Sequence, residues 1–419
     1  MGSPQNGPTH QSAFRESLGL LATRRYGTFC LASLLSNMGT WAQQVAEPWL
    51  LLSIGASSFL LGLDSFAAGA PVFLLTLVGG VIADRRDRRR VITIFQSLQM
   101  LCPASLVLLL VIGWIRPWVV IALSAIVGIT DALSMPSFQS IAPSIVEREQ
   151  IPSALALNST QFNLSRILGP AVAGAVLAGV GAIGCFALNA ASYIPFIGVA
   201  LWILPRRGPS VAARDRSDRR HLLAGARALA RDPLLRGSLV TVLATSTLCG
   251  PLITFCPVLV KEGFHRDVTS FSLTVTAFGI GGLLGAVGLL GVDAKRDRRP
   301  LTSWFAVAYG ALTALVALDP WFWALPILFV FAGLSMTASN TSANTLLQAA
   351  APERIRGRTV SLYMLAMRGG ISIGGLLTGS MIHLLGLRPA LLVDGILAVA
   401  LQFALGRRWS RSVSLASAR

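Results

Sequence analysis

Twelve mostly apolar stretches of about 20 residues or more set the terms for this chain. They lie at about 27–53, 59–82, 91–113, 118–141, 153–180, 183–204, 234–260, 268–291, 301–318, 321–348, 358–384 and 389–406. Each is long enough to cross a hydrocarbon layer of about 30 Å. Composition agrees: 53% of residues are hydrophobic, only 13% are charged, and the mean hydropathy is +0.66. A water-exposed surface could not be assembled from so few charges. The expected fold is therefore all-α and polytopic.

A net charge of +17 and a pI near 11.3 would, in a water-soluble chain, point to nucleic acid. The positions of the charges exclude that reading. With the N-terminus inside, Arg116, Lys261, Arg266 and Arg388 fall outside, and Arg166 and Arg368 fall within spans. The remaining 29 of the 35 lysines and arginines lie on the inner side. This is the charge asymmetry of a membrane protein with both termini cytoplasmic, and the arginines are not interleaved with the aromatic residues that a nucleic-acid groove uses.

The longest polar interruption, about 205–233, separates six spans from six. This predicts a cytoplasmic tail over 1–24, a six-helix bundle over 25–205, a cytoplasmic loop over 206–233, a second bundle over 234–406 and a cytoplasmic tail over 407–419. The two halves resemble each other. Residues 137–174 and 343–379 both run through a glutamine, a proline, a charged turn, a helix of small residues with an arginine deep inside it, and a glycine-rich end. The loop DRRDRRR after span 2 has an echo, AKRDRRP, after span 8. Two six-span repeats in the same orientation are an architecture of secondary transporters.

Several chemistries are absent. The five cysteines all fall inside spans without paired spacing, and read as small core residues. No His, Cys and carboxylate cluster has metal-ligand spacing. There is no G-x-x-x-x-G-K-[ST] loop, so ATP is not the expected energy source, and no strand precedes the glycines of 279–288 to make a dinucleotide site. Gly281 and Gly285 read instead as a close helix contact. No enzyme activity, metal or cofactor is expected.

The polar residues inside the spans carry the functional signal. Asn37, Thr40, Gln44 and Glu47 recur at helical spacing along span 1, bordered by Trp41 and Gln43. Such a stripe is either a set of interhelical hydrogen bonds or the wall of a water-filled cavity in which Glu47 carries a proton. Pro48 allows a kink immediately beyond it. Asp131 in span 4 and Arg166 in span 5 form a candidate ion pair, for coupling or for structure, because a lone charge is costly in hydrocarbon. Asp64, His383 and Asp394 are expected near the outer edge, with access to solvent. Asp84, at the end of span 2, needs a partner: the arginines of its own loop or the N-terminus of a neighbouring helix.

The stretch GGVIADRRDRRR over 79–90 resembles the loop motif of the major facilitator superfamily, G-x-x-x-D-R-x-G-R-R/K, through Gly80, Asp84, Arg85, Arg88 and Arg89. Asp87 stands where the general motif has glycine. That departure, with SNMGTWAQQVAEPWLL (36–51), ALNSTQFNLSRILGPAVAG (156–174) and CFALNAASY (185–193), is similar to the enterobactin-exporter branch, the transmembrane secretion effectors. The resemblance implies twelve helices in two pseudo-symmetric bundles, and a gate in which Asp84 with Arg88 docks at the start of span 11, residues 356–359. It also implies a midplane site between spans 1, 4, 7 and 10, with Asn37, Trp41, Gln44, Phe138, Asn340 and Asn344 as candidate contacts. Gly169, Pro170 and Gly174 resemble the span-5 antiporter motif, with Ala173, Ser165 and Ala156 where that motif has glycines.

These readings converge on a monomeric transporter of a bacterial inner membrane that exports an amphipathic small molecule in exchange for protons. A facilitator or importer on the same fold, or a non-transporting membrane sensor, are the alternatives.

Overall fold

The computed structural model describes residues 19–204, 232–292, 297–350 and 356–416. Twelve long helical arms follow one another in them. They are α1 Arg24–Ser53, α2 Ser58–Arg85, α3 Arg88–Val111, α4 Pro117–Gln139, α5 and α6 within Ile151–Ile203, α7 Pro233–Gly263, α8 Val268–Leu290, α9 Arg299–Leu318, α10 Ala324–Ala350, α11 Arg356–Leu385 and α12 Leu387–Ala416. Nine stretches among the described residues are long and apolar enough to cross a membrane, and one of these, Leu168–Ile203, contains turns of both α5 and α6. Gly181 divides α5 (151–180) from α6 (182–203): its φ of 77° and ψ of −171° are not helical, and a side chain there would be strained. α7 is interrupted around Gly250 and Phe255 and ends in a turn of π-helix, Leu259–Gly263.

The two faces of the bundle end their helices differently. The near side carries the start of α1 and the α2–α3 connection, and the far side carries the α1–α2 connection. Far-side links are short, and five of the six turn on a residue of positive φ, Gly55, Gly113, Gly181, His265 or Gly386; the α9–α10 link does not. Two near-side helices, α3 and α7, start on aspartate caps. The carboxylate of Asp87 accepts from the backbone N–H of Arg89 at 2.9 Å, and that of Asp232 accepts from Leu234 at 2.8 Å. In α8 the cap is on the far side, where Asp267 accepts from the N–H of Ser270 at 3.0 Å.

Packing repeats from one half to the other. The α2–α4, α3–α6, α3–α4 and α1–α5 contacts of the first six helices have counterparts in α8–α10, α9–α12, α9–α10 and α7–α11. Glycines make the closest of these contacts possible. A Cβ on Gly79 would lie 2.5 Å from the carbonyl oxygen of Ala132, and one on Gly285 would lie 2.7 Å from that of Leu334. Gly281 packs in the same way against Val330, so the expected close contact of span 8 is present.

Two further seams join the halves, α2 with α11 and α5 with α8, and the internal repeat exchanges one for the other. A Cβ on Gly379 would lie 2.8 Å from the oxygen of Ser58, and one on Gly174 would lie 2.5 Å from Thr276 Oγ1 and 2.9 Å from the oxygen of Ser272. Beside them Trp49 stacks on Phe271 at 5.0 Å between ring centres, and Lys261 Nζ donates to the carbonyl of Leu52 at 3.4 Å. All of these contacts lie towards the far side, so the halves are sealed together there.

Candidate functional site

The polar residues of α1 divide between two faces. Gln44 is exposed, and Asn37, Thr40 and Trp41 are half-buried. Gln43 and Glu47, one turn apart, are buried and turned into the first bundle. Gln43 Nε2 donates to Glu47 Oε2 at 3.2 Å, and Asn189 Nδ2 of α6 donates to Gln43 Oε1 at 2.6 Å. That second bond fixes the amide, so the NH2 group of Gln43 must face the carboxylate. Ser124 Oγ of α4 supplies the other donor, to Glu47 Oε1. Glu47 thus sits among α1, α4 and α6 with a donor on each oxygen. Its hydrogen-bond partner along the helix is Gln43, four residues back, rather than Gln44. Pro48 follows within the helix and has no N–H for the carbonyl of Gln44.

At mid-depth an ion pair crosses between the halves. Arg368 Nη1 of α11 donates to Asp131 Oδ2 of α4, and the side chains are 30% and 33% exposed. The expected partner was Arg166, whose side chain lies outside the described part. α4 lies principally against α2 and α3, and neither α5 nor α11 is among its main packing partners, so Asp131 is met by the reach of the long Arg368 side chain. In the internal repeat Arg368 stands where the first half has Arg166, so the pairing joins the halves instead of bracing one of them.

The glycines of 169–174 also act at two interfaces. A Cβ on Gly169 would overlap Trp41, which meets Phe162 edge-on at 6.4 Å, whereas Gly174 belongs to the seam with α8. Pro170 is buried between them.

Residues 16–413 match the family described as transmembrane secretion effector. The chain belongs to this family of the major facilitator superfamily. The multidrug efflux pump Tap of Mycolicibacterium fortuitum is 27% identical over 88% of this chain and 94% of its own length. The enterobactin exporter EntS of Shigella boydii serotype 4 is 25% identical over 87% of each chain. Among solved structures, the nucleoside transporter NupG superposes with a TM-score of 0.73 over 91% of this chain and 98% of NupG; at 13% identity that likeness shows the fold. The secretion effector described here is accordingly a multi-pass membrane transporter and not an enzyme.

Several of its residues stand elsewhere than the sequence suggested. Phe138 is half-buried; it stacks on Phe196 at 5.3 Å and approaches Phe29 at 6.5 Å, packed against a near-side cluster of the first bundle. Gly80 makes no close contact, and the packing glycine of the loop motif is its neighbour Gly79. Asp64 and Asp394, expected near the solvent, are buried, and Asp394 accepts a hydrogen bond from Thr378 at 2.7 Å. His383 is exposed as expected. Asn340 is buried with its Oδ1 unpartnered, and Asn344 Oδ1 accepts from Gln348 at 3.1 Å. Of the loop motif, Arg88 is exposed and Arg89 half-buried, while the side chains of Asp84, Arg85, Arg356 and Arg358 lie outside the described part. Sequence reasoning missed Ser124, Asn189 and Thr378. A serine or threonine in a span gives no signal of which neighbour it meets.

Proposed function

We propose that this secretion effector exports an amphipathic organic molecule in exchange for protons. A central path between bundles 25–205 and 234–406 opens alternately to either side. The supporting observation is Glu47, a carboxylate buried on the first helix and held by donors from its own helix and from α4. A charge so placed in a membrane helix is retained for function by default. Export is supported by the names of Tap and the enterobactin exporter. The working form is a monomer with all twelve arms crossing a bacterial inner membrane and both termini cytoplasmic, which makes the far side the outer one.

Asn37, Trp41 and Gln44 on α1, with Asn340 and Asn344 on α10, supply the few polar anchors of an otherwise apolar path, which suits an amphipathic ligand. Asp84, Arg85, Arg88 and Arg89 gate the near side by docking on the start of α11. Export of an amphipathic dye from loaded cells, with and without an uncoupler, tests the reading. Glu47→Gln is expected to abolish export driven by a pH gradient and to spare downhill equilibration. Export that ignores the uncoupler overturns proton coupling.

A further inference from the structure

The second buried acid of the first bundle, Asp64, has no place in the proposed function so far. It lies on α2, more than nine-tenths buried, and its Oδ1 has no hydrogen-bond partner. Two observations place it against Ser124. Gly128 of α4 packs on Ala68 of α2, and α2 and α4 run in the same direction, so one turn back along both helices Ser124 comes opposite Asp64. The side chain of Asp64 is also within hydrogen-bonding reach of Ser124 and within Coulombic range of Glu47. The hydroxyl of Ser124 thus stands between two carboxyl groups, one on α1 and one on α2.

The donors decide what this arrangement holds. Ser124 has one hydrogen, and Glu47 Oε1 and the Val120 carbonyl of its own helix, at 3.0 Å, are its acceptors, so it has none to give Asp64. Gln43 presents its NH2 group to Glu47 Oε2, because Asn189 occupies its carbonyl oxygen. Glu47 is therefore fully supplied as an acceptor, and Asp64 can bond Ser124 only by donating to its oxygen, which requires a proton on Asp64. Two carboxylates this close, with no counter-ion between them, carry one negative charge rather than two. The packed elements also carry, within their spans, Cys102 on α3, Asp131 on α4, Cys185 and Tyr193 on α6, and Arg368 and His383 on α11, with Tyr26 and Cys30 of α1, Arg88, Arg89 and Arg90 of α3 and Arg356, Arg358 and Tyr363 of α11 towards the near side. Arg368 is engaged by Asp131. Lys261 of α7 is committed to the carbonyl of Leu52.

We propose that Asp64, Ser124 and Glu47 form one hydrogen-bonded unit that holds a single proton, and that Asp64 is a second proton-carrying residue of this transporter. Transfer is balanced within the unit. Asp64 Oδ–H gives its proton to Ser124 Oγ, the hydrogen of Ser124 passes to Glu47 Oε1, and the negative charge moves from Glu47 to Asp64. The hydroxyl is regenerated and nothing else is consumed. The use of this step in export rests on the proton-coupled reading; the unit itself does not.

The test is an infrared pH titration of the purified full chain in lipid, following the C=O stretch of protonated carboxyl groups in sodium and in choline buffer. The wild type is expected to titrate as a coupled pair, identically in the two salts. Asp64→Asn and Glu47→Gln should each move the midpoint of the acid that remains by about 1 pH unit or more. Ser124→Ala leaves both acids in place but removes the hydroxyl between them and should displace the titration curve, and Ser124→Thr, which keeps the hydroxyl, should restore the wild-type curve; this pair decides the matter if an acid variant does not fold. The proposal is overturned if Ser124→Ala titrates like the wild type, if either acid ignores loss of the other, or if the curve depends on sodium, which would make the unit a metal-cation site. Coupled titration together with uncoupler-insensitive export would remove the proton-driven reading and leave the unit standing.

Discussion

Loss of the Asp131–Arg368 pair should shift the balance between far-closed and far-open forms. Arg368→Met leaves the Asp131 carboxylate without its partner at mid-depth. An orphaned, fully buried charge costs about 3–5 kcal/mol. About a third of each side chain is exposed, so water recovers part of that, and about 1–3 kcal/mol remains. Because the two groups sit on opposite halves, this cost falls on the state that holds the halves together. A coupling of that size changes a population ratio by about 5–150-fold. The readout is the distance between spin labels at Ile112→Cys and Trp321→Cys. These two exposed far-side positions lie on opposite halves, and the background would be one in which the five buried native cysteines are replaced. The long-distance population should grow in Arg368→Met and in Asp131→Asn, and the exchange Asp131→Arg with Arg368→Asp should bring it back. Unchanged distances in both single variants would refute the reasoning, as would an exchange variant as open as either of them.

The seams make a second prediction. Gly62→Val places a side chain against the backbone at Gly375, so it should disfavour the far-closed form by about 1–3 kcal/mol, seen as lost export with the same label pair reporting opening. Asp87→Ala removes the cap of α3 and should cost about 1 kcal/mol in thermal stability, whereas Asp87→Asn should cost less. Phe138→Ala should lower stability towards the low end of about 3–5 kcal/mol while leaving the apparent affinity for exported dyes unchanged. The backbone N–H of Ser270 holds the carboxyl of Asp267 below its ordinary range. Its contribution is therefore fully present above the unfolded value near pH 4 and is lost as pH falls through the lower folded value. Amide-exchange protection at the start of α8 should fall in that window, and Asp267→Asn should remove the pH dependence.

Much of the architecture was legible because membrane crossing imposes length and apolarity on each helix. Eleven of the expected spans match the helical arms within a few residues, while the last helix runs on to Ala416, ten residues beyond the expected end at 406, and the duplication foretold the repeated packing. Side-chain pairing was less legible, since it depends on helix rotation and on which helices touch. A shift of one residue, Gln44 to Gln43, moves the partner of Glu47 by about 100° and takes the carboxylate from the path into the bundle. Asp131 was matched with an arginine on the next helix in sequence, whereas the arginine that reaches it comes from α11 of the other half. Asp64 seemed close to solvent from its position near the start of α2, but it lies on the face of α2 that packs against α4. Nothing within span 2 itself encodes that contact.

The link between α2 and α3 consists of Arg86 and Asp87 alone, and Asp87 is committed to capping α3. A link of two residues has no slack. The two helices and the basic motif at their tip must therefore turn as one stiff lever. Any force that the start of α11 exerts on that tip would reach the far-side seam of α2 undamped, some 40 Å away by the rise of a 28-residue helix.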